Sequence, residues 1–181
     1  MPSLITKVLT ALLAAWVALP AHAAQPVWMA RAERVVDGDT LWVQREDSGK
    51  RVKLRLQGID APESCQHGGA QAQRALWQLV RGQRLQVRQR ARDRYRRIVA
   101  QVQRAGDGLD VGRRMVEEGW AWNYGRGRRS GYAREQTAAR RARRGIFADP
   151  GALQPSEFRR RHGACGVGGG IDKHPPRYTI N

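Results

Sequence analysis

Three acidic residues stand out in a chain that is otherwise strongly basic: Asp39, Asp60 and Glu63. Asp37-Gly38, just before Asp39, is by itself an ordinary hairpin turn signal, and Asp60-Ala61-Pro62-Glu63 could be no more than a turn leading into a helix. Joined by Arg55 and Arg97, they make a more specific set. Attack of water on a phosphodiester needs a cation, positive donors for the charge that grows in the transition state, and a carboxylate that takes or orients the water's proton. Each of those parts is available among these residues.

The elements that must position them are short and alternating. Residues 27–36 run into Asp37-Gly38-Asp39, residues 40–44 follow, and a polar Glu46-Asp47-Ser48-Gly49 turn leads into residues 51–56. In that third segment Val52, Leu54 and Leu56 share one face while Arg51, Lys53 and Arg55 share the other, which predicts a core face and a basic face. After Pro62 the period changes: Ala72, Ala75, Leu76, Leu79 and Val80 predict an amphipathic helix ending near Gly82. Strand character returns at Leu85 and Val87 and again over residues 98–102. Asp110 has the chemistry of an N-cap for a helix through Val111, Met115 and Val116 that stops at Gly119. Another helix runs from near Ser130 to Gly145. Arg140, Arg141, Arg143 and Arg144 in its last turns suit the negative end of its dipole or, equally, a nucleic-acid contact. Beyond Pro150 periodicity is lost, so residues 151–181 read as a basic, flexible tail with at most a short anchored segment around Cys165. Five strands, one helix inserted after the third and two trailing helices predict a mainly β fold with α: a five-stranded OB-type barrel with about three helices.

The chain of 181 residues carries 33 Lys+Arg against 16 Asp+Glu, a formal charge of +17, and nearly all the cations are arginine. Such a surface attracts polyanions, and the arginine fork matches phosphate; nucleic acid is the natural partner and anionic lipid the competitor. At the N-terminus, Lys7, the apolar residues 8–19, Pro20 and the small-x-small Ala21-His22-Ala23 predict a signal peptide over residues 1–23, cleaved before Ala24. That leaves a body over 24–150 and the tail, exported to a periplasm or secreted. An uncleaved anchor is the alternative, although the apolar run is shorter than the ~20 residues of a membrane helix. No later stretch is apolar enough to span, so stable membrane insertion is not expected. Cys65 and Cys165 are the two cysteines. In an oxidising compartment a single disulfide is the economical reading, two unpaired thiols the alternative. His67, His162 and His174 do not fall into paired spacings with the cysteines, so zinc has little support.

Asp37-Gly38-Asp39-Thr40, Arg55-Leu56, Ile59-Asp60-Ala61-Pro62-Glu63 and Asp93-Arg94-Tyr95-Arg96-Arg97 resemble, in order and at suitable spacing, the successive signature segments of the staphylococcal nuclease family. The similarity extends from Val27 to Phe147. The resemblance implies a calcium-dependent nuclease that hydrolyses DNA and RNA with low sequence specificity and leaves 3′-phosphate ends; a monomer is expected. It implies that Asp39 and Asp60 ligate calcium directly and that the main-chain carbonyl of Ala61 adds a third ligand. The family often has Thr at this last position, a difference that a main-chain ligand tolerates. Calcium suits an oxygen donor set that leaves room for waters and a phosphate oxygen.

By the same resemblance Glu63 is the general base or orients the water, and Arg55 and Arg97 bind the scissile phosphate. Strand parity independently turns Arg55 away from the core. Arg96 stands where the family commonly carries Gly; a positive φ there would strain it and bears on whether Arg97 or Arg96 is the functional arginine, Arg97 being the assignment taken. Tyr95 and Tyr124 are the substrate-binding aromatics, Tyr124 as a base-stacking or a packing residue, and Trp120 is a core residue. The loop over 125–131 does not align with the family without gaps.

Two other classes compete. A catalytically inactive OB-fold module binding single-stranded nucleic acid would need the barrel and the arginines but not the carboxylates, which weaken phosphate binding unless a cation neutralises them. A cationic membrane-active protein would need a basic helix with a large apolar face, whereas the most basic helix here offers mainly alanine.

Overall fold

β1 (Val27–Asp37) and β2 (Thr40–Arg45) pair antiparallel around the two-residue loop Gly38-Asp39, with Asp37 opposite Thr40. This hairpin opens the computed structural model of the protein, which describes residues 26–124, 131–163 and 165. The expected signal peptide, the loop over 125–130 and residues 166–181 of the tail lie outside the described residues.

β3 (Arg51–Leu56) pairs antiparallel with β2, and β5 (Arg84–Arg92) pairs antiparallel with both β1 and β6 (Ile98–Arg104). The parallel pairing of β3 with β6 closes the barrel in the order β1-β2-β3-β6-β5. β1 serves two neighbours: Val27 to Arg31 face β5, and Ala30 to Asp37 face β2. Two register shifts, between Ala32 and Arg34 and between Val35 and Asp37, mark the bulges that let one strand bend between them. Inward-facing Leu41, Val43, Leu54, Leu85, Val87, Ala100 and Val102 fill the interior, and truncating any of the leucines to Ala would cost about 2–5 kcal/mol.

The helices cover the barrel. α1 (Gly69–Val80) buries Ala72, Ala75, Leu76 and Val80, the face its sequence period predicts. α2 (Val111–Glu117) starts at the expected N-cap, where the Asp110 carboxylate accepts the Arg113 N–H. α3 (Ala133–Arg141) is shorter than the spacing suggests, and a single 3-10 turn (Gly145–Ala148) follows it. Trp120 is only partly buried but packs against the core.

Two elements differ from expectation. β4 (Ile59–Asp60) and β7 (Trp122–Asn123) form a separate two-stranded ribbon, too short to leave a period in sequence. The tail is not featureless: Pro155–His162 form a fourth helix, α4, where no element was expected. Pro155 takes the first helical turn, where its missing N–H costs nothing, and Gly163, at φ 77°, ends it. Cys65 and Cys165 are joined by a disulfide that ties the segment after α4 to the loop before α1.

Candidate active site

The tip of the first hairpin sits against the start of α1. A Cβ on Gly38 would lie 2.7 Å from the Cβ atoms of both Ala61 and Ala72, so only glycine lets the two segments approach this closely. Gly69 serves the same purpose at the N-terminus of α1, where a Cβ would meet the Glu63 carbonyl at 2.0 Å. These two contacts bring Asp39, Asp60 and Glu63 to one place.

Asp39 and Asp60 are both buried, at 2% and 3% exposure, a placement acidic side chains adopt only when paired. Arg55 supplies the pairing. Its Nη1 donates to Asp39 Oδ1 at 2.7 Å and its Nη2 to Asp60 Oδ1 at 2.8 Å, so one guanidinium spans the two carboxylates. Burial works against the Arg55 charge, but Asp39 and Asp60 outweigh it and hold its pKa above the ordinary arginine value. Strand parity is thus right about the side of β3 on which Arg55 lies, yet the residue faces a charged cleft and not open solvent. Asp39 also accepts the Thr40 hydroxyl at Oδ1 and the Ala61 N–H at Oδ2. Beside it, burial and then the Asp39 charge push the Asp37 carboxyl up to about 7.

Arg97 reaches the same cleft from the start of β6. Its Nε donates to Asp93 Oδ2 at 2.7 Å and its Nη1 to Thr40 Oγ1 at 3.3 Å, leaving donors for another ligand. Asp93 builds the turn that holds it: Oδ1 accepts the N–H groups of Tyr95 and Arg97. Burial opposes the Asp93 charge, but the hydrogen bonds and charge of Arg97 keep its pKa below the ordinary carboxylate value. Arg96 has φ 63°, the left-handed conformation anticipated from its position, and is exposed. Arg97 and not Arg96 lines the cleft.

Tyr95 and Tyr124 are 64% and 63% exposed and both line this cleft, of about 780 Å³. Exposed aromatic rings beside a charged site are surfaces on which a base or sugar can stack. Tyr124 therefore has no packing role in the core. The arginines at the end of α3 divide: Arg140 lies over the Phe147 ring at 4.8 Å, and Arg144 Nη1 donates to the Glu117 carbonyl.

One charged residue of the site was not anticipated. Arg159 on α4 reaches Glu63 Oε1 at 2.5 Å and Asp60 Oδ2 at 3.2 Å. Gln66 is a second omission: its Oε1 accepts the Glu63 N–H while its Nε2 donates to the Leu153 carbonyl. The Pro155 and Gly163 pair was the signal for α4, and the run Arg159 to Arg161 near Cys165 was a signal for its charge.

The donor set suits a hard cation. Asp39 and Asp60 offer oxygen ligands, and the carboxylates of Asp37, Asp60, Glu63 and Asp93 line the cleft beside them. Among the described residues no cluster of three or more His, Cys, Asp or Glu is arranged to hold a metal by itself. A cation here would take two carboxylates, main-chain oxygen and water, which suits calcium or magnesium better than zinc.

Comparison with known proteins gives the family. Residues 53–149 match the staphylococcal nuclease homologue family. A protein of Escherichia coli described as an uncharacterized endonuclease is 39% identical over 137 residues, 72% of this chain and 84% of its own length. A micrococcal nuclease of Shigella flexneri is 35% identical, covering 70% of this chain and 78% of its own. Protein ParB of Escherichia coli is 35% identical over 150 residues, 76% of this chain and 84% of its own. A barrel closed by β3 and β6, a hairpin tip carrying Asp39 and a match over more than half its length place this chain in the staphylococcal nuclease family.

Proposed function

We propose that this member of the family is an exported nuclease that hydrolyses phosphodiester bonds in DNA and RNA with the help of calcium. The observation that carries the reading is the buried pair Asp39 and Asp60 spanned by Arg55, in one cleft with Glu63, Arg97 and two exposed tyrosines. A binding module has no use for carboxylates buried beside a phosphate site.

Asp39, Asp60 and the main-chain oxygen of Ala61 would hold the ion. Bound there, calcium polarises a phosphate oxygen and neutralises charge. Glu63, on the segment fixed by Gln66, accepts the proton of the attacking water or orients that water. Arg97, anchored by Asp93, donates to the equatorial oxygens as negative charge grows there. Arg55 divides its donors between the two aspartates and the phosphate. Tyr95 and Tyr124 stack on base or sugar, which gives affinity without sequence preference. Cleavage leaves 3′-phosphate ends, and the protein acts as a monomer. The Cys65–Cys165 disulfide supports export, because such bonds persist in oxidising compartments.

Arg55 is the wrong residue to mutate first, since its loss would strand two buried carboxylates at a cost of about 3–5 kcal/mol. Glu63→Ala and Arg97→Ala avoid that confusion. Degradation of single-stranded DNA, duplex DNA and RNA is measured with millimolar calcium and with a chelator. The expected result is calcium-dependent cleavage that falls by about 10²–10⁴-fold in Glu63→Ala and 10²–10³-fold in Arg97→Ala. Tight, salt-sensitive binding without cleavage under any divalent cation would replace the enzyme by a binding module.

A further inference from the structure

Arg159 is 99 residues from Asp60 and 96 from Glu63 in the chain, yet its guanidinium touches both. Nη1 contacts Glu63 Oε1 at 2.5 Å and Asp60 Oδ1 at 3.4 Å, and Nη2 contacts Asp60 Oδ2 at 3.2 Å. One cation thus sits on a proposed calcium ligand and on the proposed base together.

The contact is built and not incidental. The Gln66 side chain, itself buried, bonds the Glu63 N–H with one end and the Leu153 carbonyl, just before α4, with the other. Beyond α4, Cys165 is bonded to Cys65, two residues after Glu63. α4 is therefore fastened at both ends to the short segment that carries Glu63. A tether of this kind gives Arg159 a local concentration near the site on the order of millimolar or higher.

We propose that Arg159 is a built-in cation that holds the charges of Asp60 and Glu63 before metal arrives, so that calcium and docked α4 compete for one site. This rests on the calcium reading above. Calcium can ligate Asp60 fully only when Arg159 lets go, and Glu63 can take a proton only when its oxygen is no longer committed to the guanidinium. The Cys65–Cys165 disulfide sets the balance by keeping the arginine at hand. Exchange with an external dithiol, which becomes a disulfide as Cys65 and Cys165 become thiols, frees the end of α4, lowers that local concentration and shifts the site toward the ion. A thiol–disulfide exchange two residues from Glu63 thereby tunes the calcium demand of the enzyme.

The test is calorimetric titration of calcium chloride into the disulfide-intact full chain and three variants: Arg159→Gln, Arg159→Lys, and Cys65→Ser with Cys165→Ser. Loss of one charge-assisted contact pair corresponds to a change of about tenfold in affinity. Arg159→Gln is expected to bind calcium about tenfold more tightly than the parent and the double serine variant severalfold more tightly. Arg159→Lys, which keeps the charge, should stay near the parent. Circular dichroism of each variant establishes that the barrel is folded. If the parent binds calcium and Arg159→Gln binds no more tightly, the latch is wrong, and a simultaneous fall in cleavage would make Arg159 a phosphate ligand instead. If neither binds calcium at millimolar concentration, the calcium reading itself falls, and the latch with it.

Discussion

Arg96 holds φ at 63° in a turn pinned by the Asp93 carboxylate and Arg97. A left-handed residue with a side chain costs about 1–2 kcal/mol, and glycine removes that strain while adding about 0.5–1 kcal/mol of unfolded-state freedom. Arg96→Gly should therefore stabilise the protein by about 0.5 kcal/mol in urea unfolding and leave cleavage intact; destabilisation would mean that the turn is not strained there. The strain was legible in sequence only through the resemblance, which puts glycine at this position. Asp39, Asp60 and Glu63 stood out as acidic residues in a basic chain, strand parity separates Arg55 from Leu54 and Leu56, and Arg97 was reached only through the family resemblance. Arg159 was not, because its partners lie almost a hundred residues away and a run of arginines in a tail has no periodicity to interpret.

Among the elements, α2 depends on one residue. The Asp110 carboxylate caps its first turn through the Arg113 N–H, accepts the buried Tyr132 hydroxyl at the start of α3, and takes a hydrogen bond from Gln101 on β6. Asp110→Ala removes a cap worth about 1 kcal/mol and strands a hydroxyl at a comparable cost, so a loss of about 2 kcal/mol in thermal or urea unfolding is expected. A loss within 0.5 kcal/mol, the ordinary range for a surface change, would show that α2 and α3 dock without it. The cap could be placed from sequence because Asp followed by an apolar period is a local signal. The β4–β7 ribbon could not: two residues per strand are too few for alternation, and only the fold brings Ile59 opposite Asn123. α4 was hidden by its charge, since Pro155 is its one buried residue.

For the whole molecule, the number of barrel strands and the helix inserted between β3 and β5 were legible, but the closure was not. β3 meets β6 across more than forty residues, and no local period reports a parallel pairing at that distance. Charge acts at this scale too. With a formal charge of +17 and Lys53, Arg94 and Arg97 along one cleft, much of the attraction for nucleic acid is counterion release. A protein that neutralises six or more phosphates loses affinity on the order of 10³-fold between about 50 and 200 mM salt. Fluorescence anisotropy of the Glu63→Ala variant on a labelled oligonucleotide should show that slope, and a flat response would place recognition in stacking alone. The parallel closure also imposes an order on biosynthesis. Asp39, Arg55, Asp60 and Glu63 are all made before residue 98, yet a nascent chain cannot close the barrel around them until Ile98–Arg104 has emerged to join β3 to β5. The residues proposed for cutting thus leave the ribosome well before any scaffold can align them, and the arginine that covers them is translated last.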